Sequence, residues 1–414
     1  MKRIFDPIHH FIELEPGEAD LLNTMPMQRL RRLRQLGLAY LAFPGAEHSR
    51  FSHVLGALAR GERVLRSLQQ NDAYFSDDLD FARQRRLLRA SLLLHDIGHG
   101  PFSHACEAVL GMRHEERTQA ILRLPEIRRA LENLELDADD VVSLIVASSR
   151  QHAHPVLKEI VSGPNLDADR MDYLLRDAYF TGVVSGRYDA DQLVGSLRVF
   201  ERSGRTALGV DGRGVVALES FVLARYMMFA TVYFHHTTRL FERVLQEALP
   251  EIWPDPHALD DVEAFLAWDD VRVLDAFRTA RGAAAHAIRE RRTLYGLAAD
   301  FNAEHDLSTY EACKQALLER FGADVWADEQ EQLLHRLPLG SDASSPTVLV
   351  RTHIGVADAR EASDVIAKLS GKAHWRKLFV RKRGAATEEA RAICRAIIAS
   401  AGVAASGGDA RVAL

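Results

Sequence analysis

The stretch LLLHDIGHGPFSH, residues 92–104, constrains this chain more than any other part of it. Three leucines run into His95 and Asp96, and two glycines and a proline follow. An apolar run that ends on an imidazole and a carboxylate is costly to bury unless both groups are paired or hold an ion. Leu88, Ser91, Leu92 and His95 share one face of a helix at three- and four-residue spacing. Gly98 and Gly100 end that helix, and Pro101 is expected to open the next, where its missing N–H is not needed. Imidazole nitrogens together with carboxylate oxygens suit a divalent ion such as Mn, Fe or Zn.

Two other segments supply matching donors: His53 in SRFSHVLGA and Asp169 in PNLDADRMDYLLRDA. Taken singly, a histidine on an apolar helix face is more often a packed core residue. Taken together, His53, His95, Asp96 and Asp169 from three helices can surround one ion and leave positions open for water, as catalytic rather than structural sites do. Asp169, Tyr173 and Asp177 are spaced i, i+4, i+8 and form one helical stripe. Arg170, beside them, is suited to hold a phosphate.

Composition narrows the setting. Of 414 residues, 47% are hydrophobic and 7% aromatic, which predicts a mainly helical protein with a sizeable core. The net charge of −6 carries no basic bias, so an anionic partner must meet a local patch. Cys106, Cys313 and Cys394 are far apart and read as free thiols of a reducing compartment. The opening MKRIFDPIHH lacks an apolar leader, and no apolar run approaches the roughly 20 residues of a membrane span. A cytoplasmic protein with no membrane partner is expected.

Residues 4–14 predict a short strand or hairpin turning at Asp6-Pro7. Helical pattern runs from Glu18 to about Ser67 with a loop at Phe43-Pro44-Gly45, then over 85–96, 114–160 and 167–178. RTALGVDGRGVVAL, 205–218, predicts a hairpin with Asp211-Gly212 at its turn, followed by one long helix to Leu249. The division expected is a helical domain over 1–340 with its metal core at about 48–178, a small α/β lobe over 341–403, and a disordered tail over 404–414. RKLFVRKR, 376–383, reads as a charged edge strand, or a place for single-stranded nucleic acid to touch. His152 and His154 read as a surface loop.

The spaced set His53 … His95-Asp96 … Asp169 resembles the H…HD…D signature of the HD superfamily of metal-dependent phosphohydrolases. NTMPMQRLRRLRQLG, FPGAEHSRFSHVLGA, LLLHDIGHGPFSHACE, RHEERT and NLDADRMDYLLRDA resemble segments of its deoxynucleoside triphosphate triphosphohydrolases. The resemblance runs from about residue 4 to 245 and more weakly beyond. It implies a mainly α HD fold that turns a dNTP and water into deoxynucleoside and tripolyphosphate.

The site residues implied follow from the motif positions. His53, His95, Asp96 and Asp169 would bind the ion, with Mn, Fe, Zn, Ni and Mg undistinguished and Mg also accompanying the nucleotide. His114 and Glu115 would act near the α-phosphate, His114 as general acid with Glu115 fixing its tautomer. His99 would approach the phosphate chain, and Arg50, Arg170 and His104 would contact substrate. Tyr173 and Asp177 would hold the deoxyribose, with Gln35 and Leu36 against the sugar. Tyr226 and His236 fit a pocket segment, but an ungapped reading from Tyr226 puts Val232 where the family's vertebrate enzyme has a phosphate-binding arginine and Leu240 where it has a tyrosine, whereas the bacterial branch often reads VYFH as here. Gln28 and Arg31, in the arginine-rich RLRRLR, would bind an activating nucleotide between subunits of a dimer or tetramer, although Asn23 replaces the usual guanine-reading aspartate. The other readings are an HD phosphohydrolase for a monophosphate, an alarmone or a short oligonucleotide, and a non-catalytic nucleotide or nucleic-acid sensor.

Overall fold

A computed structural model describes residues 2–71, 78–146, 155–202, 205–301, 307–333, 348–369 and 372–401. His152, His154 and the expected tail at 404–414 lie outside the described residues.

The chain starts with an antiparallel hairpin, β1 (Lys2–Asp6) and β2 (His10–Leu14), which turns at Pro7 as the sequence predicts. Helices then dominate, and those that build or brace the site are α1 (Arg50–Asn71), α2 (Asp78–Leu94), α3 (His104–Leu110), α4 (His114–Leu122) and α5 (Ala168–Thr181). After them come β3 (Leu197–Arg202), β4 (Arg205–Asp211), α6 (Val215–Met228), α7 (His236–Ile252) and α8 (Asp270–Phe277). The C-terminal part holds β5 (Tyr295–Phe301), α9 (Leu307–Phe321), β6 (Val325–Leu333), β7 (Leu349–Thr352), β8 (Gly355–Asp358), β9 (Lys372–Arg381) and α10 (Ala386–Ser400). The expected class, mainly α with short hairpins and a small C-terminal α/β lobe, is what the chain adopts.

The leucines account for the packing of the metal-core helices. Val54, Leu58 and Leu65 of α1 meet Leu88, Leu92 and Leu93 of α2 in one buried cluster that also takes Met171 and Leu174 from α5. Each such side chain contributes roughly 1.5–3 kcal/mol when fully buried. This cluster fixes the three helices that present His53, His95-Asp96 and Asp169.

Several local expectations are corrected. Pro101 does not open a helix: Phe102 and Ser103 take left-handed φ values of 54° and 58°, and α3 begins at His104. The hairpin near 205 is β3–β4, formed earlier in the chain, and Asp211 ends β4, its side chain capping a short turn at Arg213. The single long helix to Leu249 is two. A π-helical turn over Phe229–Tyr233 closes the first, and His235 caps the second. Gly212–Tyr233 has the length and apolarity of a membrane span, yet its Phe221, Val222 and Met228 are buried in the core.

Strand pairing crosses the boundary expected at residue 341. β7 pairs in parallel with β4, giving the sheet order β3-β4-β7-β8. β9 lies between β5 and β6, so it is a central strand rather than an edge. Its basic residues flank the buried run Leu378, Phe379 and Val380, and Lys377 is buried 3.5 Å from Asp300. α9 and α10 cover this sheet around a second small core that includes Tyr310, Leu317 and Ala390.

Candidate metal centre

Four donors converge where α1, α2 and α5 meet. His53 Nε2 is 3.0 Å from Asp169 Oδ1 and 3.8 Å from Asp96 Oδ2. His95 Nε2 is 3.3 Å from His53 Nε2, and 3.6 Å from both Asp96 Oδ1 and Asp169 Oδ1. Ligand atoms of His53, His95 and Asp96 all lie within 4.8 Å of one another.

The back sides of the two imidazoles fix what their front sides offer. His53 Nδ1 donates to Asp172 Oδ2 at 2.9 Å, and a carboxylate can only accept. His95 Nδ1 donates to the carbonyl of Leu92 at 2.8 Å. Both Nδ1 atoms therefore carry the hydrogen, and both Nε2 lone pairs face each other and two carboxylates. A positive charge between them, either a second proton on an imidazole or a metal ion, resolves that arrangement. The ring planes cross at 77°, so in-plane lone pairs can meet at one point. The donor set of two imidazoles and two carboxylates fits a divalent ion, with geometry rather than ligand type setting which one. Protonation shows the same demand. Burial opposes charge on His53, but Asp169 and Asp172 outweigh it and push its pKa up to about 10. Burial also works against Asp96 and Asp169, yet Arg50 with His95, and His53 with His95, hold the two carboxyls below their ordinary range.

A buried chain of charge supports this centre from behind. Asp172 takes His9 Nε2 at 2.7 Å and Arg176 Nε at 2.8 Å, and Arg176 reaches on to Asp6 at 2.8 Å. Removing one partner of such a pair typically costs about 3–5 kcal/mol. The pair lies hard against α1 at Gly56, where a Cβ would collide with Asp172 and Arg176. His9, from the N-terminal hairpin, is buried in this network.

A second pair of histidines stands beside the first and differs from it. His99 and His114 stack with centroids 4.1 Å apart and planes at 12°. Ligand atoms of His99, Glu107 and His114 also lie within 4.8 Å of one another, but the two rings occupy nearly parallel, separate planes, which suits in-plane coordination of one shared ion less well than crossed rings do. His114 Nδ1 is 2.9 Å from Glu107 Oε1 and 3.7 Å from Glu115 Oε2. The carboxylate that sets the His114 tautomer is therefore Glu107, not the adjacent Glu115. His99 Nε2 sits 3.3 Å from Asp96 Oδ1, linking the two pairs. Burial and the neighbouring Arg50 keep the His99 imidazole well below its ordinary pKa, that is, neutral.

His95, Asp96 and Asp169 of the donor cluster and both His99 and His114 line one cleft of about 730 Å³, with His53 buried behind them. Its walls include Gln35, Leu36, Arg50, Arg170, Tyr173 and Asp177. Arg50 donates to Asp96 at 2.5 Å and to Ser103 at 2.6 Å. Arg170 is paired with Asp167 and donates to the Gly163 carbonyl at 2.6 Å. Asp177 is held on both oxygens, by His48 Nε2 at 2.8 Å and by the Tyr233 hydroxyl at 2.8 Å. Leu240 is core, Val232 is a buried part of the cleft wall, and the tyrosine that this segment gives the cleft is Tyr233. His236, Gln28 and Arg31 do not line the cleft. Gln28 donates to the Leu22 carbonyl and accepts from Arg31, whose guanidinium also lies over Phe51. His104 opens α3, and its side chain lies outside what the structure describes.

Glu107, His48 and Tyr233 were missed by sequence reading, because none is marked by spacing to the donors. Asp172 and Arg176 did leave a signal: an acid and a base at i, i+4 on an otherwise apolar helix face.

Comparison with known proteins agrees with this geometry. The HD domain model matches residues 50–177, and the HD associated region matches 188–376. The uncharacterized protein YwfO of Bacillus subtilis is 37% identical over 248 residues, 59% of this chain and 54% of that one. The deoxynucleoside triphosphate triphosphohydrolase SAMHD1 of Gallus gallus is 26% identical over 346 residues, 71% of this chain and 55% of that enzyme. The chain thus spans a little over half the length of these curated relatives. A crystal structure of a hypothetical protein from Aquifex aeolicus superposes with a TM-score of 0.80 at 31% identity, covering 95% of this chain and 99% of that one. With its donor set carried inside the matched HD domain and a structural relative aligned over nearly its whole length, the chain belongs to the HD-domain family.

Proposed function

We propose that this protein hydrolyses deoxynucleoside triphosphates to deoxynucleoside and tripolyphosphate, using a divalent ion held by His53, His95, Asp96 and Asp169. The observation that carries the reading is the pairing of a cation-demanding cluster with a stacked, carboxylate-oriented histidine pair on one cleft. The substrate class rests on the similarity to SAMHD1 and on a cleft wall that offers Tyr173, Asp177, Gln35 and Leu36 together. A homo-oligomer with an activating nucleotide at Gln28 and Arg31 belongs to the same proposal.

A divalent ion at this site supplies Lewis-acid polarisation of a phosphoryl oxygen and makes water acidic enough to attack at neutral pH. The chain does the rest. Glu107 accepts from His114 Nδ1, so Nε2 is the atom that delivers a proton to the leaving oxygen. Neutral His99, stacked on His114, keeps a second positive charge away from that ring. Arg50 is fixed by Asp96 and Ser103 and presents its remaining edge to the phosphates. Tyr173 and the Asp177–Tyr233–His48 group meet the sugar.

A second reading is favoured by one observation. The cleft-lining arginines Arg50, Arg170 and Arg239 are each already paired with a carboxylate. A triphosphate must compete with those pairs, whereas a smaller phosphate ester need not. Product chromatography separates the two. The metal-loaded protein is incubated with each dNTP, singly and mixed, beside Asp96→Ala. Deoxynucleoside with tripolyphosphate, absent from the variant, is expected. Orthophosphate or a monophosphate would move the enzyme to the second reading, and turnover only in mixtures would place the activating site.

A further inference from the structure

Asp270 opens α8, far in sequence from the donors, and its side chain is fully buried. It does not pair with a cation at hydrogen-bond distance; the nearest guanidinium contact is Arg34 Nη1 at 3.8 Å. Instead its two oxygens divide between two loops. Oδ1 accepts the backbone N–H of Phe102 at 2.8 Å, and Oδ2 accepts the backbone N–H of Arg34 at 2.8 Å. A buried carboxylate whose two oxygens both accept main-chain amides of other segments fixes those segments, and the nearby guanidiniums of Arg34 and Arg29 offset only part of its desolvation.

Both loops lead into the cleft. Phe102 and Ser103 are the left-handed residues of the HGPFSH turn, a conformation that L residues hold only when the surroundings impose it. Ser103 holds Arg50, and Arg50 holds Asp96. Arg34 leads directly to Gln35 and Leu36, and the Gln35 N–H donates to the carbonyl of His48, the residue that grips Asp177. Gly37 sits where the loops meet: its φ is +52°, which disfavours any other residue, and a Cβ there would be in van der Waals contact with the Phe102 carbonyl. The neighbours of Asp270 reinforce the same clasp, since Arg29 donates to the Trp268 and His99 carbonyls and Arg32 pairs with Asp269 at 2.5 Å. Three of the four arginines of RLRRLR thus meet one clasp at the start of α8.

We propose that Asp270 is a positioning residue that staples the Arg34–Gly37 and Phe102–Ser103 loops and so sets the spacing between the phosphate end and the sugar end of the cleft. It touches neither the donor cluster nor the place where substrate would sit. The proposal rests on the cleft being the substrate site, and the test keeps the two apart. Amide hydrogen exchange on the nucleotide-free wild-type protein reads the staple directly: the Arg34 and Phe102 amides are expected to exchange at least about 100-fold more slowly than unprotected loop amides. Asp270→Asn has one acceptor oxygen and a donor in place of the other, so one of the two amides should lose that protection. With the nucleotide that the wild type turns over, this variant should lose about tenfold in kcat, the scale expected for a sub-ångström displacement, with KM and Mn²⁺ stoichiometry unchanged. Fast exchange at both amides in the wild type overturns the proposal, and does so even if the variant fails to fold. A folded Asp270→Asn that loses protection yet keeps full kcat also overturns it. A wild type inert to every dNTP sinks the substrate reading alone, because the exchange data still decide the staple.

Discussion

The two histidine pairs of the cleft are built from the same residue types a few ångströms apart, yet they do different chemistry. His53 and His95 cross at 77°, with their lone pairs aimed at one point among carboxylates. His99 and His114 lie at 12°, stacked in separate planes with one carboxylate, Glu107, at the rim. Ring orientation, rather than the number of histidines and acids in a sphere, separates an ion-binding pair from a proton-handling pair. The backing residues enforce the orientation: Asp172 and the Leu92 carbonyl behind the first pair, Glu107 behind the second.

The sharpest way to break this contrast is to truncate one member of each pair. His95→Ala should abolish stoichiometric Mn²⁺ binding in a calorimetric titration and lower turnover at least about 1,000-fold. Full Mn²⁺ stoichiometry in that variant would end the assignment of the crossed pair. His114→Gln should bind Mn²⁺ as the wild type does and lose about 100- to 1,000-fold in turnover, the range of a general acid. If it lost the ion instead, the stacked pair would be a metal site and the ring-plane argument would fail. A smaller and graded effect comes from pH. In the ion-free protein His53 keeps its second proton up to about pH 10, and the ion must displace it. Affinity for Mn²⁺ should therefore climb at least about tenfold per pH unit from 6.5 to 8.5, because each step removes the His53 proton, and His95, whose pKa is also raised by Asp96 and Asp169, can only steepen the climb. The aspartates add no slope there, being held below their ordinary range. A flat profile would mean that His53 is not a proton-bearing group of the open site.

How much of this was legible in the sequence follows from distance along the chain. His95-Asp96 announced itself because an acid beside an apolar run has few bland explanations, and the i, i+4, i+8 stripe from Asp169 placed Tyr173 and Asp177 on the same wall. Partners that arrive from elsewhere left no trace: His9 from the N-terminal hairpin, His48 from the loop before α1, and Asp270 from the HD-associated region. The residue next to His114 was an attractive guess for its partner, but consecutive helical residues point apart, and the carboxylate that reaches it is supplied from α3. β9 misled for a related reason. Basic residues clustered on both sides of a short apolar run read like an exposed edge, and only the pairing of β5 and β6 on either side reveals it as central.

That central position has a consequence for how the molecule is made. The helices carrying the four donors are complete by residue 181. β5 leaves the ribosome long before β9, its one sheet neighbour among the described residues, because β9 ends about 80 residues later. At 5–20 residues per second, the backbone edge that carries Tyr295 and Leu297 waits about 4–16 s for its partner. During synthesis the metal-core helices can pack while the sheet that brings Gln330 and Glu331 to the cleft is still open. A nascent chain halted between 333 and 372 would carry a formed donor cluster and two unmatched strands, the point in its birth at which this protein is most exposed to aggregation.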